Sequence, residues 1–218
     1  MLISVIIPVF NQEKFIGRCL RSILQQNLDK SLYEVIVIDD GSSDNTSKIL
    51  KNFKDDINII INKNNIGLPA SLNKAIRTAK GSFIVRLDSD DYVNSNFLLF
   101  LREFAIQNPN YDAIASDYYI VNDSEEILSR ENSILNPIAC GILFKIEHLI
   151  NINLYDEEFS AREEEDLMIR FLKSYNISRL PLPLYRYRKH DNNLTKNKEK
   201  MSFFRKKLIE KHSKLENL

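Results

Sequence analysis

Glu34-Val35-Ile36-Val37-Ile38-Asp39-Asp40-Gly41-Ser42-Ser43 decides how this chain is read. Four β-branched apolar residues in a row, with no polar alternation, fit a strand buried on both faces. The run stops at two carboxylates and a glycine turn. The same construction recurs on either side. Upstream, Leu2 to Val9 is a continuous apolar run ending at Phe10-Asn11, and Glu13 to Gln26 carries Phe15, Ile16, Cys19, Leu20, Ile23 and Leu24 at helical spacing. Downstream, Thr46 to Phe53 reads as a helix, Ile57 to Ile61 as a third strand and Asn64-Asn65-Ile66-Gly67 as a turn. Leu68 to Ala79 follows as a helix stopped by Gly81, and Ser82 to Leu87 as a fourth strand. This alternation predicts an α/β fold, a Rossmann-like and mostly parallel sheet with helices on both faces. Such sheets carry their sites outside the carboxyl ends of the strands. The polar clusters fall there: Asn11 after the first strand, Asp39 and Asp40 after the second, Asp88, Asp90 and Asp91 after the fourth.

Beyond Asp91 the pattern changes. Phe97 to Gln107 reads as a helix closed by Asn108-Pro109, Ala113 to Val121 as a strand, and short strands and loops continue to about Leu143. Lys145 to Ile150 fits a short helix and Glu165 to Ser174 a longer one, while Ile177 to Arg188 is extended and interrupted by Pro181 and Pro183. No internal repeat or low-complexity linker divides the chain. The expectation is a single domain over 1–218, with a first half over 1–91, a smaller mixed sub-region over 92–195 and a basic helical tail over 196–218.

Composition narrows the function classes. A length of 218 residues supports one well-buried domain. The formal charge is zero, so the whole-molecule field gives no argument for nucleic acid as a partner. No apolar run approaches the ~18 residues of a membrane span. The opening Met1-Leu2-Ile3-Ser4-Val5 reads as a buried strand rather than a signal peptide. Cys19 and Cys140 have no metal-like spacing, and a cytoplasmic location is expected. Lys189 to Leu218 holds nine Lys or Arg against four Asp or Glu, with Met201, Phe203, Phe204, Leu208 and Ile209 among them. Two readings stay open for this tail: a solvated helix with one packed face, or an amphipathic helix making peripheral contact with the inner face of the cell membrane or a partner.

Asp88-Ser89-Asp90-Asp91 sets three carboxylates within four residues at a strand end. Like charges so close repel unless a cation or hydrogen-bond donors compensate, and a hard divalent ion with phosphate oxygens is a natural partner. A helix-capping polar loop is the alternative. Asp39-Asp40 suits a directed contact to a base or a ribose hydroxyl, or simply a tight turn before a helix.

Four segments in order, Ser4-Val5-Ile6-Ile7-Pro8-Val9-Phe10-Asn11, Val35 to Thr46 with its Asp39-Asp40-Gly41-Ser42-Ser43 core, Asn65-Ile66-Gly67-Leu68 and Leu87-Asp88-Ser89-Asp90-Asp91, resemble the family 2 glycosyltransferases. The resemblance covers the first ninety or so residues. It implies the GT-A fold, a nucleotide-diphosphate sugar as donor (a UDP-sugar above all), inversion at the anomeric carbon, and Mn²⁺ or Mg²⁺ as cofactor. By the same resemblance Pro8, Phe10, Asn11 and Glu13 line the nucleoside pocket, Asp40 binds the base with Asp39 supporting its turn, and Asp88 faces the ribose or donor sugar. Asp90 and Asp91 would hold the metal. Lys74 could add positive charge, while Arg77 reads as exposed.

An inverting transfer needs a base on the acceptor side. Glu163-Glu164-Glu165-Asp166-Leu167-Met168-Ile169-Arg170 resembles the family's Glu-Asp-x-Asp-Leu segment, with Glu164 standing where that pattern has Asp. Glu164 is therefore the expected base and Glu163 its alternative; four acids complementing a helix N-terminus is the structural reading. Asn136 to Gly141 corresponds to an acceptor-side loop. Tyr185 to Thr195 resembles a Tyr-Arg-x-His segment, which implies that His190 reaches the metal or diphosphate and Arg188 the phosphates. The implied acceptor is a glycan or lipid-linked glycan in bacterial surface polysaccharide or lipopolysaccharide synthesis. Two other enzyme classes fit poorly: the first strand lacks the aspartyl nucleophile of a phosphohydrolase, and no G-x-G-x-x-G follows any strand. A degenerate member that binds a nucleotide sugar or a partner without turnover is the rival that Glu164 keeps open.

Overall fold

The computed structural model describes residues 1–190 and 198–213. The first half follows the expected alternation: β1 (Ile3–Val9), α1 (Ile16–Leu24), β2 (Tyr33–Asp39), α2 (Thr46–Lys51), β3 (Asn58–Ile61), α3 (Leu68–Thr78) and β4 (Phe83–Arg86). β1 lies in parallel between β2 and β4, and β3 extends the parallel set beyond β2. The period-2 geometry of a strand explains why β1 and β2 carry apolar residues on both faces. Ile3, Val5, Ile7, Val35 and Val37 pack with Ile16, Leu20 and Ile23 of α1 on one face. Ile6, Ile36 and Ile38 pack with Leu72, Ala75 and Ile76 of α3 on the other.

Pro8 in a central strand would normally cost a ladder bond. Here the pairing of β1 with β4 runs only from Ile3 to Ile6, and Leu87 N–H closes it on the Ile6 carbonyl. Beyond that point the two strands part, and Pro8 stays in register with Ile38 alone. This is the switch point of an open α/β sheet, where a crevice forms at the carboxyl ends.

The second half comprises β5 (Tyr92–Val93), α4 (Phe97–Gln107), β6 (Ala113–Val121), β7 (Ile127–Glu131), β8 (Ile142–Lys145), α5 (Ile146–Asn151), α6 (Glu163–Phe171), β9 (Ile177–Arg188) and α7 (Lys198–Ser213). Its strands pair in a mixed pattern, as expected of this sub-region. They continue the same sheet, in the order β3-β2-β1-β4-β8-β6-β9-β5 with β7 on β6, because β8 adds antiparallel to β4. One edge of β6 serves β8 at Ala113–Ala115 and β7 at Tyr118–Val121, so a single long strand supports both. β9 runs unbroken through Pro181 and Pro183, with register shifts against β6 at Ser116–Tyr118 absorbing the missing donors.

The basic tail resolves into a docked helix. Phe204 and Leu208 cover Phe159, Lys207 reaches Glu158 (2.9 Å), and Lys211 reaches Asp156 (2.7 Å) and Asp166 (2.6 Å). On the outer side Arg205 and Lys206 lie among Glu199, Glu210 and the exposed Phe203 and Ile209. Two of the cations counted from the sequence, Lys207 and Lys211, are therefore spent on acids of the body of the chain. No helix among the described residues is long and apolar enough to cross a membrane.

Candidate active site

The crevice is framed by two loops stapled together. After β1, Asn11 adopts a left-handed conformation (φ 51°) and its Oδ1 accepts from Ser43 N–H at 2.8 Å. Glu13 Oε2 accepts from Asn45 N–H and side-chain Nδ2 (2.8 and 2.7 Å), while Asp44 accepts from Glu13 N–H. Asn11 and Glu13 thus hold the β2–α2 loop in place. Phe10, beside them, is 44% exposed.

The Asp pair ending β2 is fully occupied by the chain itself. Asp39 accepts from Ser42 N–H (2.9 Å) and Ser47 Oγ (2.5 Å). Asp40 accepts from Asn62 Nδ2, Ile66 N–H and Gly67 N–H, each at 2.9 Å, and so fixes the Asn62–Gly67 turn. Gly41 (φ +78°) makes this possible: a Cβ there would sit 2.8 Å from the Asn64 carbonyl carbon. Lys74 donates to Asn62 Oδ1 at 2.6 Å, and Arg77 is exposed.

The acidic loop after β4 divides its three carboxylates among different partners. Asp88 is gripped through two oxygens by Arg86 (2.6 and 3.2 Å), whose guanidinium also lies 3.4 Å from Glu163 Oε1. Burial raises the proton affinity of Asp88 and Asp90 adds to it, with Arg86 opposing. Asp91 is buried, accepting from Tyr185 Oη–H and Arg188 N–H, both at 2.7 Å; burial and the two neighbouring carboxylates push its proton affinity well up. Asp90 Oδ2 lies 2.8 Å from His190 Nε2, and the imidazole stacks on Phe15 with ring centroids 5.0 Å apart.

Two groupings could be weighed as a cation site. Asp88, Asp91 and Cys140 bring ligand atoms within 4.8 Å of one another. Yet burial pushes the Cys140 thiol well up, which keeps it protonated, and Asp91 is committed to Tyr185 and Arg188. A neutral thiol is a poor ligand for a hard ion. Asp90 and His190 instead offer a carboxylate and an imidazole side by side at the loop's edge, a donor set that fits Mn²⁺. Arg188 departs from its expected phosphate role. It is 3% exposed and donates to the carbonyls of Asp90, Asn122 and Asp123 and to Glu125. The rest of the segment, Asp191 to Thr195, lies outside the described residues.

α6 begins two residues before the expected start, at Glu163, after Arg162 in a left-handed conformation (φ 59°). Its first-turn acids complement the helix dipole, but each has a distinct environment. Glu163 is buried against Arg86. Glu164 is half-buried, and its carboxyl is pushed up to about 7 by burial first and the charge of Glu163 second. Glu165 pairs with Arg162. Asp166 is fully buried and accepts from Arg170, Lys211 and His212, which locks α7 onto α6.

Arg86, Tyr185 and Asn73 escaped the sequence reading. Arg86 had a signal, a lone cation inside an apolar strand two residues before Asp88. Tyr185 lay within a quoted segment without a role. Asn73 gave none: it is buried in α3 and exchanges hydrogen bonds with the Tyr155 backbone (2.9 and 3.0 Å), tying α3 to the loop before α6.

Comparison with known proteins agrees with this arrangement. The family model described as Glycosyl transferase family 2 matches residues 4–212. A poly(ribitol-phosphate) beta-glucosyltransferase of Bacillus spizizenii is 41% identical over 112 residues, covering 50% of this chain and 18% of that protein. UDP-Glc:alpha-D-GlcNAc-diphosphoundecaprenol beta-1,3-glucosyltransferase WfgD of Escherichia coli is 29% identical over 209 residues, covering 91% of this chain and 81% of that protein. In structure, the chain superposes on residues 1–349 of S. aureus TarS in complex with UDP-GlcNAc with a TM-score of 0.78 at 24% identity, covering 90% of this chain and 61% of that one. The chain therefore corresponds to only a part of the Bacillus and TarS proteins. It belongs to glycosyltransferase family 2, and its sheet has the GT-A fold.

Proposed function

We propose that the chain transfers a sugar from a UDP-sugar, with inversion, to a hydroxyl of a glycan or lipid-linked glycan in the synthesis of a bacterial surface polysaccharide or lipopolysaccharide. The observation that carries this reading is the bridge of Glu163, in the first turn of α6, through Arg86 to Asp88 of the acidic loop, which sets Glu164 beside that loop; burial and the charge of Glu163 push the Glu164 carboxyl up to about 7. A base poised near neutrality is what abstraction of a hydroxyl proton requires. Glu163, held in its ion pair by Arg86, supports that role from behind.

In this reading Phe10 offers a stacking face to the base, and the Asp39–Asp40 turn shapes the nucleoside pocket that Pro8, Asn11 and Glu13 border. Asp88 orients the ribose or donor sugar. Asp90 and His190 would hold Mn²⁺ or Mg²⁺, which when bound neutralises charge on the departing diphosphate. Asp91 keeps that loop in position. The acceptor oxygen attacks the anomeric carbon from the face opposite the diphosphate, its proton passes to a Glu164 carboxylate oxygen, and the bond from carbon to the UDP oxygen breaks. The names of the Bacillus and Escherichia relatives, both beta-glucosyltransferases and one using UDP-Glc, support donor class and stereochemistry. A lipid-linked acceptor would bring the reaction to the cytoplasmic face of the membrane, where the outward cations of α7 could add a peripheral contact.

The test is the configuration of the product. Incubation with UDP-glucose or UDP-N-acetylglucosamine, Mn²⁺ and a diphosphate-linked sugar acceptor is expected to give a β-linkage from the α-linked donor, read by the anomeric proton coupling. An α-linked product would refute the inverting mechanism.

A further inference from the structure

Tyr185 has no counterpart among the roles assigned above, yet it touches the acidic loop twice. Its side chain is fully buried on β9, edge-on to Phe97 with ring centroids 6.1 Å apart. The hydroxyl donates to Asp91 Oδ2 at 2.7 Å and accepts from Asp88 N–H at 3.1 Å. Asp91 Oδ1 meanwhile takes the N–H of Arg188 from the same strand. The loop that carries Asp88 and Asp90 is therefore pinned at both ends of a four-residue span by one phenol. Gly141 guards the other side of the ring: at φ +73°, an added Cβ would lie 2.9 Å from Tyr185 Cδ2 and 3.3 Å from Cγ. Glycine is required there both by conformation and by the closeness of this ring.

Resting on the reading of Asp90 and His190 as the metal-holding pair, we infer that Tyr185 is the positioning residue of that site. It holds Asp90 at the distance from His190 seen here, and Gly141 exists to let it. The hydroxyl needs no contact with donor or metal. A buried phenol between a carboxylate and a backbone N–H fixes the loop before ligand arrives, so no ordering remains to be done on binding.

The test is calorimetric titration of UDP into the full chain at several Mn²⁺ concentrations, for wild type and Tyr185→Phe. Loss of a hydrogen bond to a charged group predicts a metal-dependent affinity about tenfold weaker. UDP affinity measured without metal should stay within about twofold, and raised Mn²⁺ should restore binding. Gly141→Ala, which presses the same ring and keeps the hydroxyl, should fall between the two and serves if Tyr185→Phe does not fold. Wild-type metal dependence with equal Mn²⁺ response in the variant would overturn the inference alone. Absence of any metal dependence in wild type would overturn the reading of Asp90 and His190 beneath it.

Discussion

Glu164→Gln is expected to lower kcat by roughly 10²–10⁴-fold, the usual contribution of a positioned general base, with little change in donor KM. The same variant should be more stable than wild type in alkali. The carboxyl of Glu164 is pushed up to about 7 in the fold from an ordinary value of 4.5. Its raised value means that the folded state binds the proton more tightly. The stabilisation is fully present below about pH 4.5 and is lost as pH rises through 7. Glutamine mimics the protonated form at every pH, so the variant should gain on wild type across that window and reach a plateau above it, on the order of 2 kcal/mol after allowance for partial solvent access. Thermal unfolding at pH 5 and pH 8 measures it. Wild-type kcat should rise with pH through about 7, and loss of that limb in the variant would tie the rate and the stability to one group. Full activity in Glu164→Gln would remove Glu164 from the mechanism.

Arg86→Met should damage both halves of the site at once. The guanidinium is nearly buried between Asp88 and Glu163, and removing it leaves the buried Glu163 and the partly exposed Asp88 without their cation. Breaking such a pair from one side costs about 3–5 kcal/mol. Since the stranded acids take up protons more readily, the loss should be largest at pH 8 and smaller at pH 5, as urea titrations at the two values would show. Arg86→Lys restores the charge without the two-pronged grip on Asp88, so it should recover stability more than donor affinity. Equal stability of Arg86→Met and wild type at pH 8 would deny the bridge any energetic role.

The parallel half of the sheet was legible because its residues obey one local rule. Strands buried on both faces run predominantly apolar and turn polar at their ends, so Val35–Ile38 followed by Asp39-Asp40 announces both a strand and a rim. The second half follows no such rule. β5 is two residues long and exists only through pairing with β9, and β8 is recognisable only from its place beside β4. At the site, residue types foretold chemistry better than partners. The resemblance implied that His190 reaches the metal or diphosphate; its contact with Asp90 was not itself foreseen. The commitment of Asp91 to Tyr185, of Arg188 to backbone carbonyls and of Lys211 to Asp166 could not be read, since each joins positions 45 to 98 residues apart. Of the two readings of the tail, the packed face is seen in Phe204 and Leu208 on Phe159, but a count of lysines did not say that Lys211 faces Asp166 on α6.

The most direct test of the central claim is a thermal-shift series with UDP, GDP, CDP and their sugars, each with and without Mn²⁺, on wild type and Asp90→Ala. A ligand that binds only the folded state stabilises it by about 2.7 kcal/mol at a hundredfold excess over Kd. A shift with UDP or a UDP-sugar that needs the metal and disappears in Asp90→Ala is the predicted result. A folded wild-type sample that shifts with no nucleotide, or shifts equally in Asp90→Ala, would contradict it.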